Sequence, residues 1–148
     1  MRKTLFALTL LLGAGAAEAQ LPFLKKRTAQ PQQPVLQGID ALRADFAAQA
    51  GGTTVYYGAE SAILGAPAKT ALGLQAAWLR RHPEVVVRIE GYGDSLDTRD
   101  HALAMGARRA EEVRSHLLLL GVPATQVSTT SWGKERPGLG RAVTILVR

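Results

Sequence analysis

Cysteine is missing from all 148 residues. Its absence removes disulfides, cysteine-ligated zinc, thiol catalysis and lipid attached to a cysteine in one step. No second long apolar segment follows the first twenty residues, and the one inside them, Leu5 to Leu12, is too short for a bilayer span, which takes roughly 20 apolar residues. The Gly-x-Ser-x-Gly elbow of a serine hydrolase is absent, and so is any internal repeat. Acidic charge is in deficit: 18 Lys and Arg stand against 12 Asp and Glu, giving a net charge of +6 and a pI of about 10.2. Taken alone, that balance points to an anionic partner such as nucleic acid. Hydrophobic residues at 47% and charged residues at 20% are ordinary for a folded protein. A chain of this length therefore holds one domain plus short extras, which excludes a multidomain enzyme or a large barrel.

The first residues redirect the charge argument. Arg2 and Lys3 precede the apolar run, and small residues ending in Ala17-Glu18-Ala19 follow it. This order is that of an export signal cleaved after Ala19, so residues 1–19 are assigned to a signal peptide. An exported protein rarely meets nucleic acid, and none is expected as a partner. The mature chain is expected in the periplasm, with association to the outer membrane. Residues 20–34 carry three prolines, repeated Gln and the basic run Lys25-Lys26-Arg27, the composition of a solvated linker.

Periodicity organises the rest. Val35, Ile39, Leu42 and Phe46 are spaced 4, 3 and 4 apart, which predicts an amphipathic helix over 35–50 ended by Gly51-Gly52. Thr53 to Tyr57 is β-branched and aromatic and predicts a strand. Pro67 suits a first helical turn, and Leu64, Ala68, Leu72, Ala76 and Leu79 continue a stripe to about Arg81. Glu84 to Glu90 reads as a central strand buried on both faces, and 91–98 as a loop. Leu103, Gly106, Ala110, Val113, Leu117 and Leu120 predict a long helix closed by Gly121. Val127 to Trp132 and Ala142 to Val147 predict two last strands, which either pair or flank another strand. The expected fold is α+β: a βαβαββ two-layer sandwich over 51–148, a mixed sheet with helices on one face, preceded by an N-terminal helix.

Candidate chemistry is sparse. Ser61, Ser128 and Ser131 have no base at a recognisable spacing, so they read as strand and turn residues. Asp97 and His101 are four apart, but no third convergent ligand is visible, so capping or a surface role is preferred over a metal site. Neither catalysis nor a cofactor is expected. The informative stretch is Glu90-Gly91-Tyr92-Gly93-Asp94, followed by Gly106-Ala107-Arg108-Arg109-Ala110. A carboxylate at a strand's C-terminal end and a guanidinium fifteen residues later on the next helix would meet where open sheets gather ligands. Such a pair can hold a zwitterion, Arg109 taking a carboxylate in a forked geometry and Asp94 taking an ammonium. A capping Asp and a solvated Arg is the plainer alternative.

Several strings in order carry a family resemblance from about Thr53 to Arg148. They are Val55-Tyr56-Tyr57, Trp78-Leu79, Ile89 to Asp94, Gly106 to Val113, Gly121-Val122 and Ser131-Trp132-Gly133-Lys134-Glu135-Arg136-Pro137. Together they resemble the OmpA-like C-terminal domain, a peptidoglycan-binding module. The resemblance implies the same βαβαββ sandwich and a non-catalytic role. It also implies that Asp94 and Arg109 grip the diaminopimelate of the peptidoglycan stem peptide, an amino acid with a free ammonium and carboxylate.

The chain departs from the family pattern at defined places. Tyr92 stands at the family's loop His, Asp97 at its loop Gly, and Ala102 at the Asn that opens its helix motif. Between Pro137 and Arg141 only Gly138-Leu139-Gly140 remain of a longer loop ending in Asn-Arg-Arg, and Arg141 stands for its last Arg. The ligand-binding set expected here is Asp94, Arg109, Arg141, Tyr92 and Asp97, with Asp97 adding charge that favours an ammonium and opposes a carboxylate. The expected function is binding of diaminopimelate-type peptidoglycan. The alternative is an envelope protein-interaction module that has lost this binding, which Ala102 and the shortened connection favour.

Overall fold

The computed structural model describes residues 38–136 and 140–148. The signal peptide at 1–19, the linker at 20–34 and the Pro137 end of the shortened connection lie outside the described residues. The elements are α1 (Ile39–Gln49), β1 (Thr54–Tyr56), α2 (Ala66–Arg81), β2 (Val87–Tyr92), α3 (Arg99–Leu119), β3 (Val127–Gly133) and β4 (Arg141–Leu146), with a 3₁₀ turn at Ala124–Gln126. The sheet order is β1-β4-β2-β3. β2 and β3 pair in parallel, and β4 runs antiparallel to both β1 and β2. The last two strands therefore do not pair with each other, because β4 inserts between β1 and β2 to complete the sheet. The α+β mixed-sheet architecture expected from the order of elements is the one observed.

The first helix spans Ile39–Gln49 and is preceded by Gly38 at φ 92°, a value outside the helical region, while Val35, the start expected for it, lies outside the described residues. Its Phe46 is fully buried edge-on against Trp78, with ring centroids 5.0 Å apart, and the Trp78 indole N–H donates to Asp45 Oδ2 at 2.7 Å, tying α1 to α2. Two expectations need correction. β2 starts at Val87 and extends through Gly91 and Tyr92, which were assigned to a loop. On α3, Leu103 is 46% exposed and off the core face, while Ala102, Met105, Gly106, Arg109, Ala110, Val113 and Leu117 are buried.

These two corrections share a cause. A Cβ on Gly91 would lie 1.8 Å from the Gly106 carbonyl oxygen, and one on Gly93 would lie 2.3 Å from that of Ala102. Glycine at these positions lets α3 lie directly on the backbone of β2, so the strand continues beneath the helix and the helix rotates its small residues inward. That rotation also carries Arg109 into the core-facing stripe.

Several polar side chains inside the fold are tied to distant parts of the chain. Thr144 Oγ1 donates to Gln75 Oε1 at 2.8 Å, and the Gln75 amide donates to the Gly52 carbonyl at 3.0 Å. Gln126 Nε2 donates to the His82 and Val85 carbonyls at 2.9 and 3.0 Å, closing the turn between α2 and β2. On the sheet face away from the helices, Glu90 is 2% exposed and accepts from Tyr92 Oη at 3.0 Å and Arg88 Nη2 at 2.9 Å. β2 is thus buried on both faces, as a central strand should be, but its outer cover is polar rather than aliphatic.

Candidate functional site

The C-terminal ends of β1, β2 and β3 meet the start of β4 in one row of backbone hydrogen bonds. Tyr57 N–H donates to Gly140, Gly140 N–H to Gly93 and Gly93 N–H to Gly133, at 2.7, 3.3 and 2.9 Å. Asp94 leaves the sheet at the end of this row, and Arg109 reaches it from α3.

Arg109 is 0% exposed. It donates from Nε to the Ser61 carbonyl at 2.8 Å, from Nη1 to Tyr92 at 2.8 Å and from Nη2 to Gly58 at 3.1 Å. The two remaining N–H groups face Asp94 Oδ1 at 3.3 Å and Oδ2 at 3.4 Å, a forked pair. All five donors of the guanidinium are thereby engaged. Tyr57 supports it from a third side, donating its hydroxyl to the Arg109 carbonyl at 3.0 Å with its ring centroid 5.5 Å from the guanidinium carbon. Burial, and secondarily the charge of Glu112, push the Tyr57 hydroxyl pKa up, so it remains a donor.

Asp94 is the exposed half of the pair, at 24%. It also accepts from Glu60 N–H at 3.3 Å. Partial burial works against its ionisation, but the hydrogen bonds from Arg109 and Glu60 and the Arg109 charge hold the carboxyl below its ordinary range. Glu90 behaves alike: burial opposes ionisation, and hydrogen bonds from Tyr92 and Arg88 with the Arg88 charge outweigh it.

The sign of the pH dependence follows. A carboxyl depressed in the folded state contributes stability that is present above the unfolded value of about 4 and disappears as pH falls through the folded value. The urea midpoint is expected to fall on acidification below about pH 4, and the double variant Asp94→Asn, Glu90→Gln should show a shallower decline. Parallel declines in wild type and variant would contradict this assignment.

The five expected site residues divide. Asp94 and Arg109 are brought together, but the carboxylate in the arginine's fork is Asp94 itself. A ligand carboxylate reaches Arg109 only by displacing Asp94 from one edge. Tyr92 contributes its main-chain carbonyl to Arg109, while its side chain lies on the outer sheet face with its hydroxyl on Glu90. Arg141 lies with it, its guanidinium carbon 5.2 Å from the Tyr92 ring centroid. These two side chains belong to the outer-face network because side chains alternate along a strand. Asp97 flanks Asp94 at the N-terminus of α3, 3.8 Å from His101 Nε2.

Residues that the sequence does not place at the site complete it. Gly58 and Ser61 act through main-chain carbonyls, which have no sequence signature. Glu60 has φ 51° and places its carboxylate 2.8 Å from His101 Nε2. The hydrogen bond from His101 to Glu60, then the charges of Glu60 and Asp97, raise the His101 pKa.

The class of protein defined by this fold and site is a two-layer α+β domain whose mixed sheet carries a buried ion pair at its strand ends. The chain belongs to the OmpA family, whose sequence profile matches residues 56–142. It is 41% identical over 86 residues to a peptidoglycan-associated lipoprotein of Agrobacterium fabrum, covering 58% of this chain and 49% of that protein. A peptidoglycan-associated lipoprotein of Pseudomonas aeruginosa is 38% identical over 99 residues, covering 67% of this chain and 58% of that protein. The chain thus spans about half the length of the curated relatives it matches. The crystal structure of the peptidoglycan-associated lipoprotein from Burkholderia pseudomallei superposes with a TM-score of 0.63 at 30% identity, covering 66% of this chain and 92% of that one.

Proposed function

We propose that this chain is a non-catalytic protein of the periplasmic side of the cell envelope that binds peptidoglycan through the diaminopimelate of its stem peptide. Support comes from the family and from relatives named for peptidoglycan association. The export-type N-terminus read from the sequence agrees with that location. No helix among the described residues is long and apolar enough to cross a membrane.

The observation that carries the reading is the partly exposed Asp94, locked by a buried Arg109 at the strand ends. A carboxylate offers about four acceptor positions, and three are filled here by Arg109 and Glu60. The fourth, on a partly exposed carboxylate, is left for an ammonium. Glu60 and Asp97 add negative charge beside it, which strengthens the preference. The ligand carboxylate would pair with Arg109 on displacing one edge of the Asp94 fork.

Sedimentation with purified diaminopimelate-type sacculi tests this. The wild type should pellet and be released by free diaminopimelate. Asp94→Asn should lose more than tenfold in affinity, since a charged hydrogen bond contributes about 1.5 to 3 kcal/mol. Failure of wild type to pellet, or indifference to free diaminopimelate, would overturn the reading. A second reading, an envelope interaction module without wall binding, is favoured by the full internal engagement of Arg109. It predicts equal pelleting of wild type and a folded Asp94→Asn variant.

A further inference from the structure

We infer that Glu60, Asp97 and His101 form a site for one divalent transition-metal ion of the Zn²⁺ type. The three residues come from two different loops and the first turn of α3. Their donor atoms nevertheless all lie within 4.8 Å of one another. Glu60 Oε2 is 2.8 Å and Asp97 Oδ2 3.8 Å from His101 Nε2. Around tetrahedral zinc, with bonds of about 2.0 to 2.2 Å, neighbouring donors sit about 3.3 to 3.6 Å apart. The two separations from His101 straddle that value and differ from it by about half an ångström or less.

Each ligand stands on anchored backbone. Glu60 N–H donates to Asp94 Oδ2, the Asp97 carbonyl accepts from Lys134 Nζ, and His101 N–H is capped by Thr98 Oγ1 at 3.3 Å.

A simple ion pair explains only part of the cluster. Protonated His101 paired with Glu60 satisfies those two groups. Asp97 Oδ2 is then left closed to solvent with no hydrogen-bond partner among the described residues. A carboxylate oxygen in that state is costly, and it points at the same nitrogen. Asp97, Glu60 and the adjacent Asp94 also crowd negative charge. A dication would relieve both. One imidazole nitrogen with two carboxylate oxygens matches Zn²⁺, whereas Mg²⁺ and Ca²⁺ prefer oxygen alone. This site adjoins Asp94 through the Glu60 N–H, but its test reads metal binding and does not depend on wall binding.

Calorimetric titration of the untagged, metal-stripped protein with Zn²⁺ decides the matter. One equivalent is expected to bind with micromolar affinity and to persist in excess Mg²⁺. His101→Ala and Asp97→Asn should each weaken binding by about tenfold or more, and His116→Gln, elsewhere on α3, should not change it. Circular dichroism and urea midpoints of the variants show whether the fold is retained. Absence of saturable binding, or binding by folded His101→Ala equal to wild type, would overturn the inference.

Discussion

Arg109→Ala is expected to unfold this protein more readily than any other single truncation on α3. The guanidinium is 0% exposed and is the donor for three main-chain carbonyls and the Asp94 carboxylate. Removing it takes the side-chain donor away from the Ser61, Tyr92 and Gly58 carbonyls, leaves Gly58 with only the Ser61 N–H and Asp94 with only the Glu60 N–H, and opens a void beneath Tyr57. Breaking a buried pair on one side costs about 3 to 5 kcal/mol. That is a large share of the roughly 5 to 15 kcal/mol by which a domain is stable. Chemical denaturation followed by far-ultraviolet circular dichroism should show a midpoint shift of that size. Arg109→Lys keeps the charge but supplies a single nitrogen to four acceptors, so an intermediate loss is expected. A change below about 1 kcal/mol in the alanine variant would mean that the carbonyls find water instead. For this reason wall binding is better tested at Asp94 than at Arg109, where lost affinity and lost fold coincide.

The second large effect is expected from a single methyl group. Gly91→Ala would place its Cβ 1.8 Å from the Gly106 carbonyl oxygen and 2.7 Å from the carbonyl carbon. Both obstacles are backbone, so no rotamer change relieves them. Either α3 lifts from β2 or the strand bends, and in both cases the Arg109 donors move relative to the Ser61, Tyr92 and Gly58 carbonyls. Overpacking typically costs about 1 to 3 kcal/mol, and a clash with helix backbone belongs at or above the upper end. The matching measurement is the same denaturation series, with Gly73→Ala as the control, since a Cβ at Gly73 meets nothing within 4 Å on α2. Gly73→Ala should be neutral or stabilising, because alanine is the better helix former by about 1 kcal/mol. Equal stability of the Gly91 and Gly73 variants would show that α3 is not held as tightly as its contacts indicate.

Much of this was legible in the chain. Spacings of three and four placed the three helices, and β-branched runs placed the strands, because these patterns record which side of each element faces the core. The fifteen-residue interval between Asp94 and Arg109 permits convergence, since a strand end followed by a helix lying back on the sheet returns the chain to that place, but it leaves a capping Asp and a solvated Arg as the plainer reading, and the family resemblance is what favours the pair. Leu103 was misassigned because hydrophobicity alone ranks leucine above alanine. The closeness of α3 to β2 reverses that ranking and selects Ala102, Gly106 and Ala110 for contact. Tyr92 and Arg141 were grouped with the loop, but strand alternation turns their side chains to the opposite face.

The residues by themselves determined the class of fold, the lack of thiol chemistry and the two charges at the site, all of which depend on local pattern and composition. Only the tertiary structure decided that Arg109 is closed upon Asp94 and three carbonyls, and that Glu60 joins Asp97 and His101 from 41 residues before His101. Main-chain acceptors have no identity in a sequence, and contacts between distant loops exist only once the sheet and helices have fixed where those loops begin and end.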